Sequence, residues 1–242
     1  MSLTESAPSA PAARSVRTRK TDGASVDDIY ERIYIAILEH RLKPGTKLGE
    51  DRMAAIFRIN RSRMREVFAR LCHDGVVELV AQRGAFVAKP TPEAAREVFE
   101  MRRLVEPGVV ARLIATQTPE KLKKLREHYQ LEKEARARGD KRAVIRLSGE
   151  FHTLLAELAG NAVMAKSMRI LSTLTCLVIA LYDAPTGDAC RADEHSQMID
   201  AIAKHETSRA EKLMLGHLAH IEASFNFEAD AEHTDLEAIF AR

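Results

Sequence analysis

The sequence predicts a mainly α protein built in two parts, and three observations carry that prediction. Within about 65 residues from Val26, three stretches with apolar residues at helical spacing precede two short β-rich runs separated by a glycine-containing turn. Beyond Pro90 and Pro92, amphipathic segments follow one another with no alternation of the strand type. Charge divides at the same place: residues 1–90 hold 16 Lys and Arg against 11 Asp and Glu, residues 91–242 hold 21 against 24. The first pattern is that of an N-terminal winged helix-turn-helix, the second that of an all-α helical bundle.

Composition narrows the class before any element is placed. With 242 residues, 45% hydrophobic and 30% charged, the chain has apolar material for one large domain or two modest ones and is not globally disordered. No run approaches 18 consecutive apolar residues, so no membrane-spanning helix is expected. The first twenty residues, MSLTESAPSAPAARSVRTRK, lack the apolar stretch of a secretory signal and read as part of a disordered basic tail over 1–24. Three scattered cysteines (Cys72, Cys176, Cys190) make neither a disulfide framework nor a cysteine zinc site, and a reducing cytoplasm is expected.

The elements follow in order. Ile29, Ile33, Ile37 and Leu38 recur three or four residues apart and mark the first helix, ended by Lys43-Pro44-Gly45. A short second helix spans about 50–57 with Met53, Ile56 and Phe57 inward. A third begins near Arg61, where Met64, Val67, Phe68 and Leu71 trace one stripe, and Gly75 ends it. Val76–Val80 and Ala85–Ala88 flank Gln82-Arg83-Gly84, a hairpin with glycine at its tip. The winged helix therefore covers 25–90. The bundle covers 91–230, with helices near 92–116, 119–138, 141–159, 161–183, 190–204 and 207–228. Gly160 and Pro185-Thr186-Gly187 interrupt the later ones, and 231–242 is a C-terminal tail. The apolar 161–183 helix fits core, a subunit face or a pocket wall.

The third helix carries the first chemistry. Its apolar stripe leaves Arg61 and Arg65, one turn apart, on a different face from Met64 and Phe68. Such a helix suits a DNA major groove, where arginine pairs bidentately with guanine and Asn60, Ser62 and Arg63 reach phosphate or base edges. Arg83 and Gly84 sit where a wing crosses the neighbouring groove. An arginine-rich helix face alone is commonly only solvated surface; the helix before it and the hairpin after it make the DNA reading the better one.

The run LGEDRMAAIFRINRSRMREVFARLCHDGVVELVAQRGAFV resembles the winged-helix signature of the GntR family of bacterial transcription regulators. Arg61, Arg65, Glu66, Gly75 and the segment Arg83 to Val87 fall on that pattern, and Asn60 and Ser62 take the places of its usual Ser and Thr. Arg58 stands where the family has a turn glycine and Arg63 where it has a proline. The bundle resembles the FCD effector domain of the FadR-like branch through VFEMRRLVEPGVVARLIA, FHTLLAELAGN, EHSQMIDAI and MLGHL.

That second resemblance gives His152, His195 and His217 a common role. Each lies on an amphipathic helix beside apolar neighbours, and three inward imidazoles from three helices make a common type of metal site. Taken singly, each is more often a satisfied core or surface residue. In many FCD proteins such histidines, with an aspartate four residues before the first, bind a divalent metal beneath an effector pocket. Here that position is Ser148, so zinc or nickel on three histidines and a polar pocket without metal both remain open. The resemblance further implies that Arg102 clamps an effector carboxylate, with Ser148 and the histidines lining the same pocket.

The expected function is a ligand-responsive, DNA-binding transcription regulator: a homodimer on operator DNA, released as a repressor by a small carboxylate metabolite. The alternative is a metal-dependent hydrolase-like domain fused to a DNA-binding module, although no zincin, P-loop or nucleophile-elbow motif occurs.

Overall fold

The computed structural model describes residues 24–182 and 193–227. The expected tails over 1–24 (its last residue aside) and 231–242 lie outside the described residues. So do Cys190, the break at Pro185-Thr186-Gly187 and the first residues of the 190–204 helix.

Ser25 opens the fold with a capping box: its hydroxyl accepts the Asp28 amide and the Asp28 carboxylate accepts the Ser25 amide. Helix α1 (Val26–Leu38) then buries Ile29, Ile33 and Ile37 completely. Strand β1 (Lys47–Leu48) follows, then α2 (Glu50–Phe57), α3 (Arg61–His73), β2 (Val77–Val80) and β3 (Gly84–Val87). The sheet order is β1-β3-β2, antiparallel throughout, with Lys47 opposite Phe86 and Val77 opposite Val87. Sequence periodicity misses β1 because two residues cannot alternate. The wing also differs in detail from expectation. Its turn is Ala81–Arg83, with Gln82 at φ 61°, and Gly84 is the first residue of β3 at φ 96° rather than the hairpin tip.

The bundle consists of α4 (Pro92–Ala115), α5 (Pro119–Ala137), α6 (Lys141–Leu158), α7 (Ala162–Tyr182), α8 (Glu194–Ala203) and α9 (Thr207–Ala223). Thr91, Thr118 and Asp140 cap α4, α5 and α6 with their side-chain oxygens, which places those starts where the sequence puts them. Helix α9 stops at Ala223, short of the expected 228.

Two large hydrophobic cores result, beside a small cluster of Ala135, Ala143, Val144 and Leu147 between α5 and α6. One joins α1, α2, α3 and the sheet; the other holds Phe99, Leu113, Phe151, Met168, Met198 and Met214. Helix α7 belongs to both: Cys176 and Leu177 pack into the first core, Met168 and Val178 into the second. By length and composition α7 could cross a membrane, yet half of its most apolar window is buried inside the fold. Its hydrophobicity is that of a helix with neighbours on opposite sides.

Polar contacts fasten the same seam. Tyr34 and Thr173 share a buried 2.8 Å hydrogen bond, and His40 Nε2–H donates to the Cys176 carbonyl at 2.8 Å. Arg169 donates to the Tyr30 hydroxyl at 3.1 Å, and that hydroxyl donates to Asp74, the residue capping the C-terminus of α3. Tyr182 donates to the Pro90 carbonyl at 2.8 Å, pinning the linker.

Candidate nucleic-acid interface and histidine cage

Asn60 is the N-cap of α3, and its Oδ1 accepts the Arg63 amide at 2.9 Å. A proline at position 63 would have no such proton to give, so Asn60 and Arg63 fit one another as a pair. The capping oxygen is engaged in the fold, which leaves the Asn60 amide nitrogen for a phosphate. Arg61 and Arg65 project from the exposed side, 64% and 67% accessible, and lean on the first turn of α2. Arg61 pairs with Asp51, and Arg65 Nε donates to Glu50 at 2.9 Å. These carboxylates hold the guanidiniums in place over the surface that the α2–α3 corner presents. Ser62 and Arg83 are exposed as well, and Arg83 lies over the Phe86 ring at 5.3 Å; Arg63 is half-buried, its Nη2 donating to the Ala24 carbonyl at 3.4 Å. Arg58 ends α2 in the left-handed conformation, φ 55°, a backbone state that suits glycine.

The structure brings the three histidines together. His152 comes from α6, His195 from α8 and His217 from α9, all buried, with ligand atoms within 4.8 Å of one another. Each ring is held by its own glutamate. His152 Nδ1 meets Glu106 of α4 at 2.6 Å, His195 Nδ1 meets Glu132 of α5 at 2.7 Å, and His217 Nδ1 meets Glu194 of α8 at 2.6 Å. A carboxylate only accepts, so the three protons sit on Nδ1 and the three Nε2 lone pairs point inward. His152 Nε2 and His217 Nε2 face one another at 3.1 Å, and His195 Nε2 has no hydrogen-bond partner among the described residues. Phe151 stacks on His195 with centroids 4.1 Å apart and closes the apolar side.

Electrostatics agree with neutral rings at His152 and His217 and with ionised carboxylates. Burial lowers His152 to about 3, against the upward pull of Glu106, and lowers His217 to about 4, against that of Glu194. Burial alone would raise Glu106, but Arg102 and His152 bring it to about 2. Glu132 is likewise brought to about 2, burial being outweighed by His195 and Arg136.

Arg102 is wholly buried. Its Nε donates to Glu106 and its Nη1 donates to Thr175 Oγ1 of α7 at 3.0 Å, while Nη2 has no partner among the described residues. Ser148 is buried one turn before His152 on α6. A groove of about 560 Å³ lies elsewhere, at the seam lined by Tyr30, Arg70, Asp74 and Arg169, and not at the cage.

Sequence reading found the histidines, Ser148 and Arg102 but not the glutamates. Glu132 carries a usable signal. On α5 it continues the inward stripe Leu125, His128, Ala135, a charged residue where a core residue belongs. Glu106 stands one turn after Arg102, and Glu194 directly precedes His195; neither spacing reveals a carboxylate that reaches an imidazole on another helix.

A winged helix joined to a helical bundle with a buried polar cage defines a two-domain transcription regulator. The comparisons with known proteins agree. Residues 25–87 match the model of the bacterial regulatory proteins of the gntR family, and residues 97–220 match the FCD domain. The chain belongs to the GntR family and carries an FCD domain. It is 28% identical over 204 residues to a probable D-xylose utilization operon transcriptional repressor of Paenarthrobacter nicotinovorans, covering 84% of this chain and 88% of that one. It is 24% identical over 197 residues to the HTH-type transcriptional repressor RspR of Escherichia coli K12, covering 81% and 86%. Among solved structures, a putative GntR regulator from Rhodococcus sp. RHA1 superposes with a TM-score of 0.72 at 27% identity, over 83% of this chain and 99% of that chain. These relatives are regulators and not enzymes, so the hydrolase alternative falls away.

Proposed function

We propose that the chain is a homodimeric, metabolite-responsive repressor whose cage holds a divalent metal and takes a small carboxylate. The observation that carries this reading is the convergence of three Nε2 lone pairs, each fixed by a glutamate on the far side of its ring. Neutral lone pairs turned towards a common centre repel unless a cation or a donor lies between them, and the orphaned His195 Nε2 marks the same need. The donor set fits zinc or nickel, which His152, His195 and His217 would hold; the metal would supply a Lewis-acidic position for an effector oxygen. The unpartnered Arg102 Nη2 favours an effector that is an anion, a carboxylate above all.

On the DNA side, Asn60, Arg61, Ser62, Arg63 and Arg65 read the operator's major groove and Arg83 with Gly84 enters the adjacent groove. Occupancy of the cage reaches α3 through α7, which touches Arg102 at Thr175 and α1 at Thr173.

Two measurements test the proposal. Elemental analysis and titration calorimetry with zinc and nickel should show one metal per chain, lost in His195→Ala. Operator fragments selected from random DNA should bind the full chain, and Arg61→Ala with Arg65→Ala should cost about 1–3 kcal/mol for each guanine read. A folded double variant with unchanged affinity would remove the recognition-helix assignment. A chain that takes up neither metal would remove the metal assignment.

A further inference from the structure

The α2–α3 corner carries exposed Arg58, Arg61 and Arg65, and the wing adds Arg83. Two carboxylates on the first turn of α2 interrupt this cationic face, and they differ. Glu50 belongs to the packing: its side chain is 29% exposed and its Oε1 is shut off from solvent. Asp51, the next residue, is 66% exposed. Glu66, another acid nearby, lines the seam groove beside Arg70. An exposed pair such as Asp51 and Arg61 adds little to stability, and a carboxylate on this face works against the attraction of DNA phosphates. Neither folding nor general affinity accounts for Asp51.

Its effect falls on the guanidinium. Asp51 Oδ1 pairs with Arg61 Nε, as Glu50 Oε2 does with Arg65 Nε, and neither guanidinium has a further partner among the described residues. With the Nε edge held, the end formed by Nη1 and Nη2 is left free, a planar fork that matches O6 and N7 of guanine. An untethered arginine turns to any phosphate within reach, and such a contact carries no sequence information.

We infer that Asp51 is a specificity-determining residue: it holds Arg61 by Nε and repels phosphate, which confines Arg61 to guanine and weakens binding to all other sequence. Specificity is a difference between two affinities, and a group that lowers the wrong one widens it as a new contact would. This inference rests on the reading of Arg61 as a base contact and adds what restricts it to that role.

Duplexes selected from random DNA by the full chain, and shuffled duplexes of the same composition, provide the test. Arg61→Ala first identifies the guanine, the position where a change to adenine ceases to matter. Asp51→Ala should then bind shuffled duplex more tightly, with a salt dependence steeper by about one phosphate contact. Its ratio of selected to shuffled affinity should fall about ten-fold, and the penalty for adenine at the Arg61 guanine should shrink by a similar factor. Asp51→Glu, which keeps the carboxylate, should restore most of both, with helical circular dichroism unchanged in each variant. If Asp51→Ala tightens both duplexes equally and leaves the adenine penalty in place, Asp51 is a surface charge and the inference fails. If no position loses its penalty in Arg61→Ala, the recognition-helix reading fails first and takes this inference with it.

Discussion

At the scale of single residues, the cage works through groups that never touch its centre. Glu106, Glu132 and Glu194 fix which nitrogen of each ring carries the proton, so their contribution is one of direction. Glu132→Gln keeps the shape and removes the charge; it should lower zinc affinity by about 10- to 100-fold in calorimetry while the far-ultraviolet spectrum stays constant. Ser148→Asp should change affinity in the opposite direction by offering a carboxylate one turn before His152. Acid should undo the cage from a definite starting point. An unfolded chain protonates His152 and His217 as pH falls below the ordinary 6.5, whereas burial holds the folded values near 3 and 4. Stability should therefore decline from about pH 6.5 downward, and again below the ordinary 4.5 of Glu106 and Glu132, which are held near 2. Urea midpoints across this range, measured without metal, give the slope; a flat profile would contradict neutral buried rings at His152 and His217. The histidines were legible in sequence because the segments that carry them resemble the FCD pattern; their apolar settings taken singly would not have set them apart. Their glutamates were not, because a hydrogen bond between helices leaves no spacing to read.

Elements were more legible than contacts. Apolar stripes alone put most helix starts close to where they lie; the fold adds side-chain caps at Ser25, Asn60, Thr91, Thr118 and Asp140 that fix those starts, and the boundary missed most clearly is the C-terminus of α9. The α2–α3 corner shows a local rule set aside. Arg58 holds a left-handed backbone that costs an L-residue roughly 1–2 kcal/mol, and it places another cation beside the recognition helix. Arg58→Gly should raise stability by about 1 kcal/mol in thermal unfolding and weaken DNA binding most at low salt. Equal loss of affinity at all salt concentrations would mean that Arg58 reads a base instead of supporting the electrostatic approach.

Across the whole molecule, the feature least visible in the sequence is the seam. Tyr30, Tyr34, Thr173 and Arg169 look like ordinary members of two separate helices, and only the fold shows Tyr34 bonded to Thr173 and Tyr30 bridging Arg169 to Asp74. Tyr34→Phe removes one hydroxyl and leaves the ring stacked on Tyr30. On the proposed metal reading, it should leave zinc affinity unchanged and reduce the protection from hydrogen exchange expected on α1 and α3 when zinc is added. If that protection is retained in the variant, signal passes by another contact.

The sharing of α7 between both cores also bears on how this protein can be cut and recombined. A fragment ending at Pro90 carries the reading head but leaves behind Cys176 and Leu177, which complete its interior. Grafted onto a foreign sensor, the head would keep its arginines and lose part of its floor. The transferable unit is the winged helix together with the face of α7 beneath it, a module assembled from two distant stretches of chain.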